Sequence, residues 1–202
     1  MSAKIYLIVL LNLYTLNFYA QNQQTTPADS VAFITLDKRY KGGNKAFFTH
    51  IAPILKCPQE ARENCRLGIL LVRLKIRSSG VIDSIIFRND TPLGMGIEQE
   101  VATVLLSTKG QWTRAVEYSM IDFSIAFHEE KDKPKATVLV TLYSTDGSQQ
   151  CPSNQDLIKD LEKAKKKEQY KKAVTICEDL IRRFPDSEDY KKELIFLKSS
   201  MK

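Results

Sequence analysis

Residues 68–87 constrain the chain most. After Gly68, the residues Leu70, Val72, Leu74 and Ile76 fall on every second position, so an extended strand carries all four on one face. Ser78, Ser79 and Gly80 interrupt the alternation, and Ile82, Ile85 and Phe87 resume an apolar run. Strand, tight turn, strand predicts a β-hairpin. Its apolar face then requires a second layer from elsewhere in the chain.

The flanking segments supply that layer. Asn44 is the expected N-cap of a helix that carries Ala46, Phe47, Ile51, Ile54 and Leu55, with Pro53 disturbing its last turn. One more helical turn is expected over residues 58–64, and a short strand over 31–36. After a loop at 89–96, a helix over 98–106 places Ile97, Val101, Val104 and Leu105 on one side. Trp112 opens an extended region in which Phe123, Ile125 and Phe127 alternate. A charged turn at 129–134 leads to a strand at 136–143 with Val138, Val140 and Leu142 on one face. That turn is short enough for the last strand to fold back on the one before it. The reading is α+β: a small antiparallel sheet with two packed helices.

A linker at 145–155 follows, and the composition then changes. Residues 156–202 contain no glycine, a single proline at Pro185 and dense lysine and glutamate. Leu157, Leu161, Ala164, Tyr170, Ala173, Val174, Ile176, Cys177, Leu180 and Ile181 repeat at helical spacing, and Pro185 separates a last helix with Tyr190, Leu194 and Leu197. This predicts an all-α helical hairpin after the sheet unit. Glu162 with Lys166, Glu178 with Arg182 and Asp179 with Arg183 stand four apart, the favourable order on a solvated helix face. The run Lys165-Lys166-Lys167 reads as part of that face, with a docking role for its charge as the alternative.

The amino-terminal residues 1–20 have the pattern of a secretory signal peptide: Lys4, an apolar run over 5–11, and Ala20 as a small residue before Gln21. The alternative is an uncleaved anchor, which Asn12, Thr15 and Asn17 disfavour by interrupting the apolar run. No cysteine follows that run, so no lipid anchor is expected. Cleavage leaves residues 21–38 as a leader and implies a periplasmic chain, or one held at the inner membrane if the segment stays. The net charge of +6 over 202 residues is too dilute for the dense basic stripe of a nucleic-acid binder.

An oxidising compartment permits disulfides among Cys57, Cys65, Cys151 and Cys177. Cys57 with Cys65 is the expected pair, because both flank one short helix-to-strand connection. Cys177 reads either as the partner of Cys151 or as a small buried thiol in an apolar stripe. The spacings match no zinc site.

No catalytic signature is present: no nucleophile elbow, no zinc-protease helix motif, no phosphate loop and no dinucleotide fingerprint. His50 sits on a helix. His128 ends a strand beside Glu129 and Glu130, a set better explained by solubility than by metal. Asp83 and Asp122 fit solvent-facing strand positions, and Trp112 fits a core anchor. The expectation is a protein without catalysis, metal or cofactor.

Several motifs occur in a recognisable order: Tyr40-Lys41-Gly42-Gly43 before a helix, Cys57-Pro58-Gln59-Glu60-Ala61, the Gly68-anchored hairpin, Ile97-Glu98-Gln99-Glu100-Val101, Trp112-Thr113-Arg114-Ala115, and a closing strand ending at Phe127. In this the segment from Tyr40 to Phe127 resembles the C-terminal domain of TonB, in the form found in Bacteroidetes-type energy transducers. The TonB-like unit is expected over residues 39–144. Residues 156–202 resemble, more weakly, a tetratricopeptide helix pair, through Tyr170, Ala173, Cys177, Leu180 and Pro185.

The resemblance implies a protein–protein interaction module with a partner such as an outer-membrane receptor or another envelope protein. It implies binding by strand pairing at a sheet edge, here at Phe123, Ile125 and Phe127 or at Val138, Val140 and Leu142. Two other functions stay open: an anchored transducer that energises transport, and a structural or wall-binding envelope protein. The chain departs from a true transducer in lacking a long Pro-rich spacer, since the leader between residues 21 and 38 is too short to cross an envelope.

Overall fold

The structure, a computed structural model, describes residues 31–33, 36–128, 138–141 and 151–201, with the backbone alone at 31–33 and 138–141. The elements are β1 (Val31–Phe33), α1 (Leu36–Arg39), α2 (Gly43–Ile51), α3 (Gln59–Glu63), β2 (Gly68–Ile76), β3 (Ile82–Phe87), α4 (Ile97–Ser107), β4 (Tyr118–His128), β5 (Val138–Thr141), α5 (Asn154–Lys166), α6 (Tyr170–Arg183) and α7 (Glu188–Ser199). The fold is α+β: a five-stranded sheet, antiparallel over its three main strands β3, β2 and β4 and parallel where β1 and β5 join β4, with helices on one face, then helices at the C-terminus.

The hairpin forms as its alternation predicts. β2 alternates strictly between buried and half-buried positions. It pairs antiparallel with β3 on one side, Leu74 opposite Ile85, and with β4 on the other, Leu70 opposite Ile125 and Leu74 opposite Ile121. Because facing residues share a side of the sheet, Leu70, Val72, Leu74 and Ile76 form one apolar surface with Ile121, Phe123, Ile125 and Phe127. Phe47 and Ile51 of α2 and Ile97, Val101, Val104 and Leu105 of α4 cover it in a single core.

The motif around Tyr40 works as a buckle for the hairpin. Tyr40 bridges to Trp112, and the two rings meet edge to face at 5.0 Å. Trp112 is buried, with its indole N–H donating to Thr108 Oγ1 at 3.0 Å, so it is the core anchor expected of it. Gly80 turns the hairpin with φ +85°, and a Cβ there would stand 2.5 Å from the Trp112 carbonyl oxygen. The buried guanidinium of Arg39 adds a bond to the Arg77 carbonyl at 2.8 Å.

The start of α2 differs from expectation. The helix opens at Gly43, after Gly42 with φ +82°, and Asn44 is not its cap. Asp37 of α1 does that work: its Oδ1 accepts from the Asn44 backbone N–H at 2.7 Å and its Oδ2 from the Asn44 amide at 2.8 Å. Two consecutive left-handed glycines let the helix begin two residues earlier than expected, and a carboxylate at a helix start is favourable for the helix dipole. Pro53 lies just beyond the end of α2, which stops at Ile51.

The segment after β4 occupies the edge of β4, but not by folding back. β5 runs parallel to β4, Ile125 opposite Val138 and His128 opposite Thr141. Nine residues, 129–137, separate the two strands in sequence, more than the two to five of ordinary hairpin loops. β1 also pairs parallel to β4, at Tyr118, Ser119 and Met120. The two short strands therefore lie end to end along one side of β4.

The C-terminal helices bury a small core of their own, with Leu161, Ala173, Cys177, Leu180 and Leu197 at its centre. α5 starts with a capping box: Ser153 Oγ accepts from the Asp156 N–H at 3.2 Å, and Asp156 Oδ2 accepts from the Ser153 N–H at 3.1 Å. Of the expected helix-face pairs, Glu178 with Arg182 forms at 4.0 Å, Arg182 also meeting Asp179 at 2.5 Å, while Lys165 rather than Lys166 meets Glu162, at 3.1 Å. Arg183 instead turns inward and donates to Pro152 O and Asn154 Oδ1, both at 2.9 Å, holding the start of α5.

These helices dock on the sheet unit at the start of β2. A Cβ on Gly68 would lie 2.6 Å from the Arg182 carbonyl oxygen. Arg66 reaches Asp179 at 3.0 Å, Arg182 donates to Pro92 O at 2.9 Å, and Lys191 meets Asp90 at 3.1 Å. A disulfide between Cys65 and Cys151 secures the seat. The expected Cys57–Cys65 pair does not form, nor does Cys151 with Cys177: Cys57 and Cys177 are buried thiols. Cys57 joins the sheet core, while Cys65 follows α3 with φ 49° and joins Cys151, two residues before the N-cap of α5. Burial pushes the Cys57 thiol up to about 12 and the Cys177 thiol up to about 11, Glu193 and Glu178 adding to the latter. Both are therefore poor nucleophiles.

Two outcomes are expected. Gly68→Ala drives a methyl group into the α6 backbone and is expected to lower stability by about 1–3 kcal/mol, read as a shift of the urea midpoint. Replacing Cys65 and Cys151 together by serine opens a loop of sequence separation 86, an expected loss of about 4–5 kcal/mol by the chain-entropy argument. Thiol titration of the denatured, unreduced protein is expected to find Cys57 and Cys177 alone.

Candidate interaction surfaces

Phe123, Ile125 and Phe127 are buried in the core beneath α2 and α4. β4 itself has β2 on one side and β1 and β5 on the other. The expected partner edge on β4 is thus taken at Ile125 and Phe127 by β5, while Phe123 lies between the stretches that β1 and β5 pair with. Val138 and Val140 lie on β5, which becomes an outer strand, and Leu142 lies outside the described residues. Cys57, expected in a disulfide, is a core thiol.

The other outer strand is β3. Among the described residues nothing pairs with its far side. The Arg88 N–H donates to the Leu71 carbonyl at 2.9 Å, and Val72 stands opposite Phe87. Hydrogen-bonded pairs alternate along an antiparallel ladder, so Ser84 and Ile86 turn their backbone groups to β2, and Ile85 and Phe87 turn theirs outward. A register shift beside Lys75 and Ile76 leaves Asp83 unpaired as a bulge, a common defence at sheet edges.

β2 is three residues longer than β3, and the chain closes the surplus edge with a side chain. The Asn89 amide oxygen accepts from the Leu71 N–H at 2.8 Å, and its NH2 donates to the Ile69 carbonyl at 2.7 Å. One amide thus imitates the next residue of a strand.

The sheet face opposite the helices carries charge. Arg73 and Asp122, directly opposite on β2 and β4, make two bonds of 2.7 Å each, and Arg88 adds a third at 3.0 Å. The hydrogen bond from Arg73 holds the Asp122 carboxyl below its ordinary value, with the charges of Arg73 and Arg88 helping against a smaller opposing effect of burial. Asp83 accepts from the Tyr118 hydroxyl and pairs with Arg77 at 2.8 Å, and these bonds also lower its pKa. Both aspartates are solvent-side positions, as their apolar neighbours suggested.

His50 and Ser107 come close enough to suggest a base and a nucleophile, but the hydrogen bonds point the other way. Ser107 Oγ donates to the Val104 carbonyl at 2.6 Å, which uses its one proton. His50 Nε2, 3.4 Å from that oxygen, is then the donor, and Nδ1 accepts from the Tyr40 hydroxyl at 3.1 Å. The histidine is a strut between Tyr40 and α4. His128 is buried rather than exposed at its strand end, because β5 lies beside it. Among the described residues, no group of three or more His, Cys, Asp or Glu side chains is placed to hold a metal, and no helix is long and apolar enough to cross a membrane.

No protein-family model, curated protein or solved structure matches this chain.

The Asp122 cluster gives a pH expectation. A carboxyl held low in the folded state stabilises it above the ordinary aspartate value, about 3.9, and that contribution fades as the pH falls through the depressed value. Asp122→Asn is expected to cost less than about 1 kcal/mol near neutral pH, since the group is partly exposed. The difference from the parent, read from urea midpoints, is expected to vanish in strong acid.

Proposed function

We propose that this chain is a non-enzymatic exported protein that works by protein–protein contact, with a sheet unit related to the TonB C-terminal domain and a helical segment docked on it. The observation that carries the reading is the outer strand β3, six residues long and without a neighbour on its far side among the described residues. The outward N–H and C=O groups of Ile85 and Phe87 are what an extended partner segment would pair with. The ordered motifs support the family relationship. The Cys65–Cys151 bond supports passage through an oxidising compartment.

Under this reading the partner differs from a transducer's in where it docks. The closing-strand edge is filled by the chain's own β1 and β5, so a receptor or envelope segment adds beside β3. Basic side chains at Arg73, Lys75, Arg77 and Arg88 outnumber the acids Asp83 and Asp122 around that strand, favouring an acidic segment.

Titration with a peptide carrying a TonB-box sequence tests the proposal. Saturable binding is expected, and Ile85→Pro is expected to abolish it, because proline there removes an outward N–H and spares the β2 ladder. As a control on folding, a photo-crosslinking residue at Ile86 is expected to capture the peptide, and one at Val138 is not. No saturation up to about millimolar peptide, or capture at Val138 alone, would overturn it.

A further inference from the structure

The charge of this chain is concentrated in one place. Residues 163–172 hold six lysines and one glutamate, a net +5 against +6 for all 202 residues. They form the end of α5, the turn into α6 and the first turn of α6. Lys165 is held inward by Glu162 at 3.1 Å and Glu193 at 2.9 Å. Lys163, Lys166, Lys167, Lys171 and Lys172 are exposed, and no ion pair engages them among the described residues.

The fold makes this corner a projection. Both ends of the hairpin away from it are fixed to the sheet unit: Cys151 by the disulfide, and Arg182 by its contacts with Gly68 and Pro92. α5 is 13 residues long, so at 1.5 Å per residue the lysine corner stands about 20 Å from that seat. Glu162 and Glu193 are taken up by Lys165, and several other acids of the helical segment are engaged away from the corner. Glu178 and Asp179 face Arg182, Arg66 and Lys198, and Glu188 faces Lys191.

Local helix stability explains only half of the cluster. Lys163 and Lys166 lie in the last turn of α5, where a cation suits the helix dipole. Lys171 and Lys172 lie in the first turn of α6, where it does not, and that turn has no acid at all. The first turns of α4, α5 and α7 each carry acidic residues. The corner also contains no arginine. Lysine is a flexible, hydrated point charge, whereas arginine supplies the planar fork that recognises individual carboxylates and phosphates. A convex, lysine-only corner therefore suits diffuse negative charge spread over a surface.

The geometry points to a peripheral membrane contact: the α5–α6 corner docks on a bilayer rich in anionic phospholipids, independently of the amino-terminal segment. Attraction of this kind acts through the surface potential of the lipid and falls off within a Debye length. Contact at the corner leaves the β3 edge on a different part of the molecule. The inference does not rest on the strand-pairing proposal and stands or falls separately from it.

Vesicle co-sedimentation of the full chain tests it. One variant carries Lys166→Gln, Lys167→Gln, Lys171→Gln and Lys172→Gln. A control variant of equal net charge carries Lys38→Gln, Lys45→Gln, Lys56→Gln and Lys109→Gln, four exposed lysines of the sheet unit. Far-UV circular dichroism confirms that both stay folded, glutamine being a good helix former. Expected are a partition coefficient onto phosphatidylglycerol vesicles at least tenfold above that onto phosphatidylcholine, loss of this excess in the corner variant and at about 1 M salt, and its retention in the control. Equal loss in both variants would overturn the inference by making net charge the cause. A corner variant that binds as well as the parent would also overturn it. So would a parent that ignores the vesicles but binds poly-aspartate or isolated peptidoglycan through the corner.

Discussion

The antiparallel pairing of β2 with β4 is the constraint on which the rest of the molecule depends. It runs from Gly68 opposite Phe127 to Ile76 opposite Ser119 without a slip. One residue of slippage would move every apolar side chain of a strand to the other face. With this register, Leu70, Val72, Leu74 and Ile76 meet Ile121, Phe123 and Ile125, and α2 and α4 have one place to go. On the other face the same register sets Arg73 against Asp122, so one alignment satisfies both the core and the charged surface.

The ends of that ladder decide where everything else attaches. At the end near Ile76, Gly80 and Trp112 lock the hairpin turn against the segment that leads into β4. At the end near Gly68, the missing side chain leaves room for the α6 backbone. The helical segment needs that seat less for apolar burial than for position, because it has its own core. Ion pairs, a bond to a loop carbonyl and a disulfide make the junction, so the two cores stay separate on either side of it.

Much of this was legible in the sequence, and the exceptions have a common physical origin. Alternation and helical spacing located β2, β3, β4, α4 and the three C-terminal helices, because each reflects burial on one face of a single element. Gly68 and Gly80, visible in the sequence as the start and the turn of the hairpin, are where other backbone comes close. What spacing cannot carry is a relation between distant segments. The Cys65–Cys151 bond depends on docking between α3 and the start of α5. The cap on α2 comes from Asp37, which becomes a neighbour only because two glycines bend the chain. Short connections favour local partners on paper, and so Cys57 seemed the better mate for Cys65. The edge assignment on β4 failed for the same reason. Phe123, Ile125 and Phe127 are equally apolar on an edge strand or a central one, and only the arrival of β1 and β5 distinguishes the two. The lysine corner was visible as a run of charge, but which of its lysines meets an acid, Lys165 with Glu162 and Glu193, required the helices to be placed.

The disulfide also changes what a protease can do to this chain. Its two sulfurs enclose β2, β3, α4, β4 and β5 in one covalent circuit. A single cut at any peptide bond between residues 65 and 151 leaves both fragments tied together, with the carboxy-terminal helices still tethered beside the β2 strand they rest on. A nicked molecule would run at its full mass until reduced. After such a cut the helices can leave only once the disulfide is also reduced, so their loss then reports the redox state of the surroundings as well as the presence of a protease.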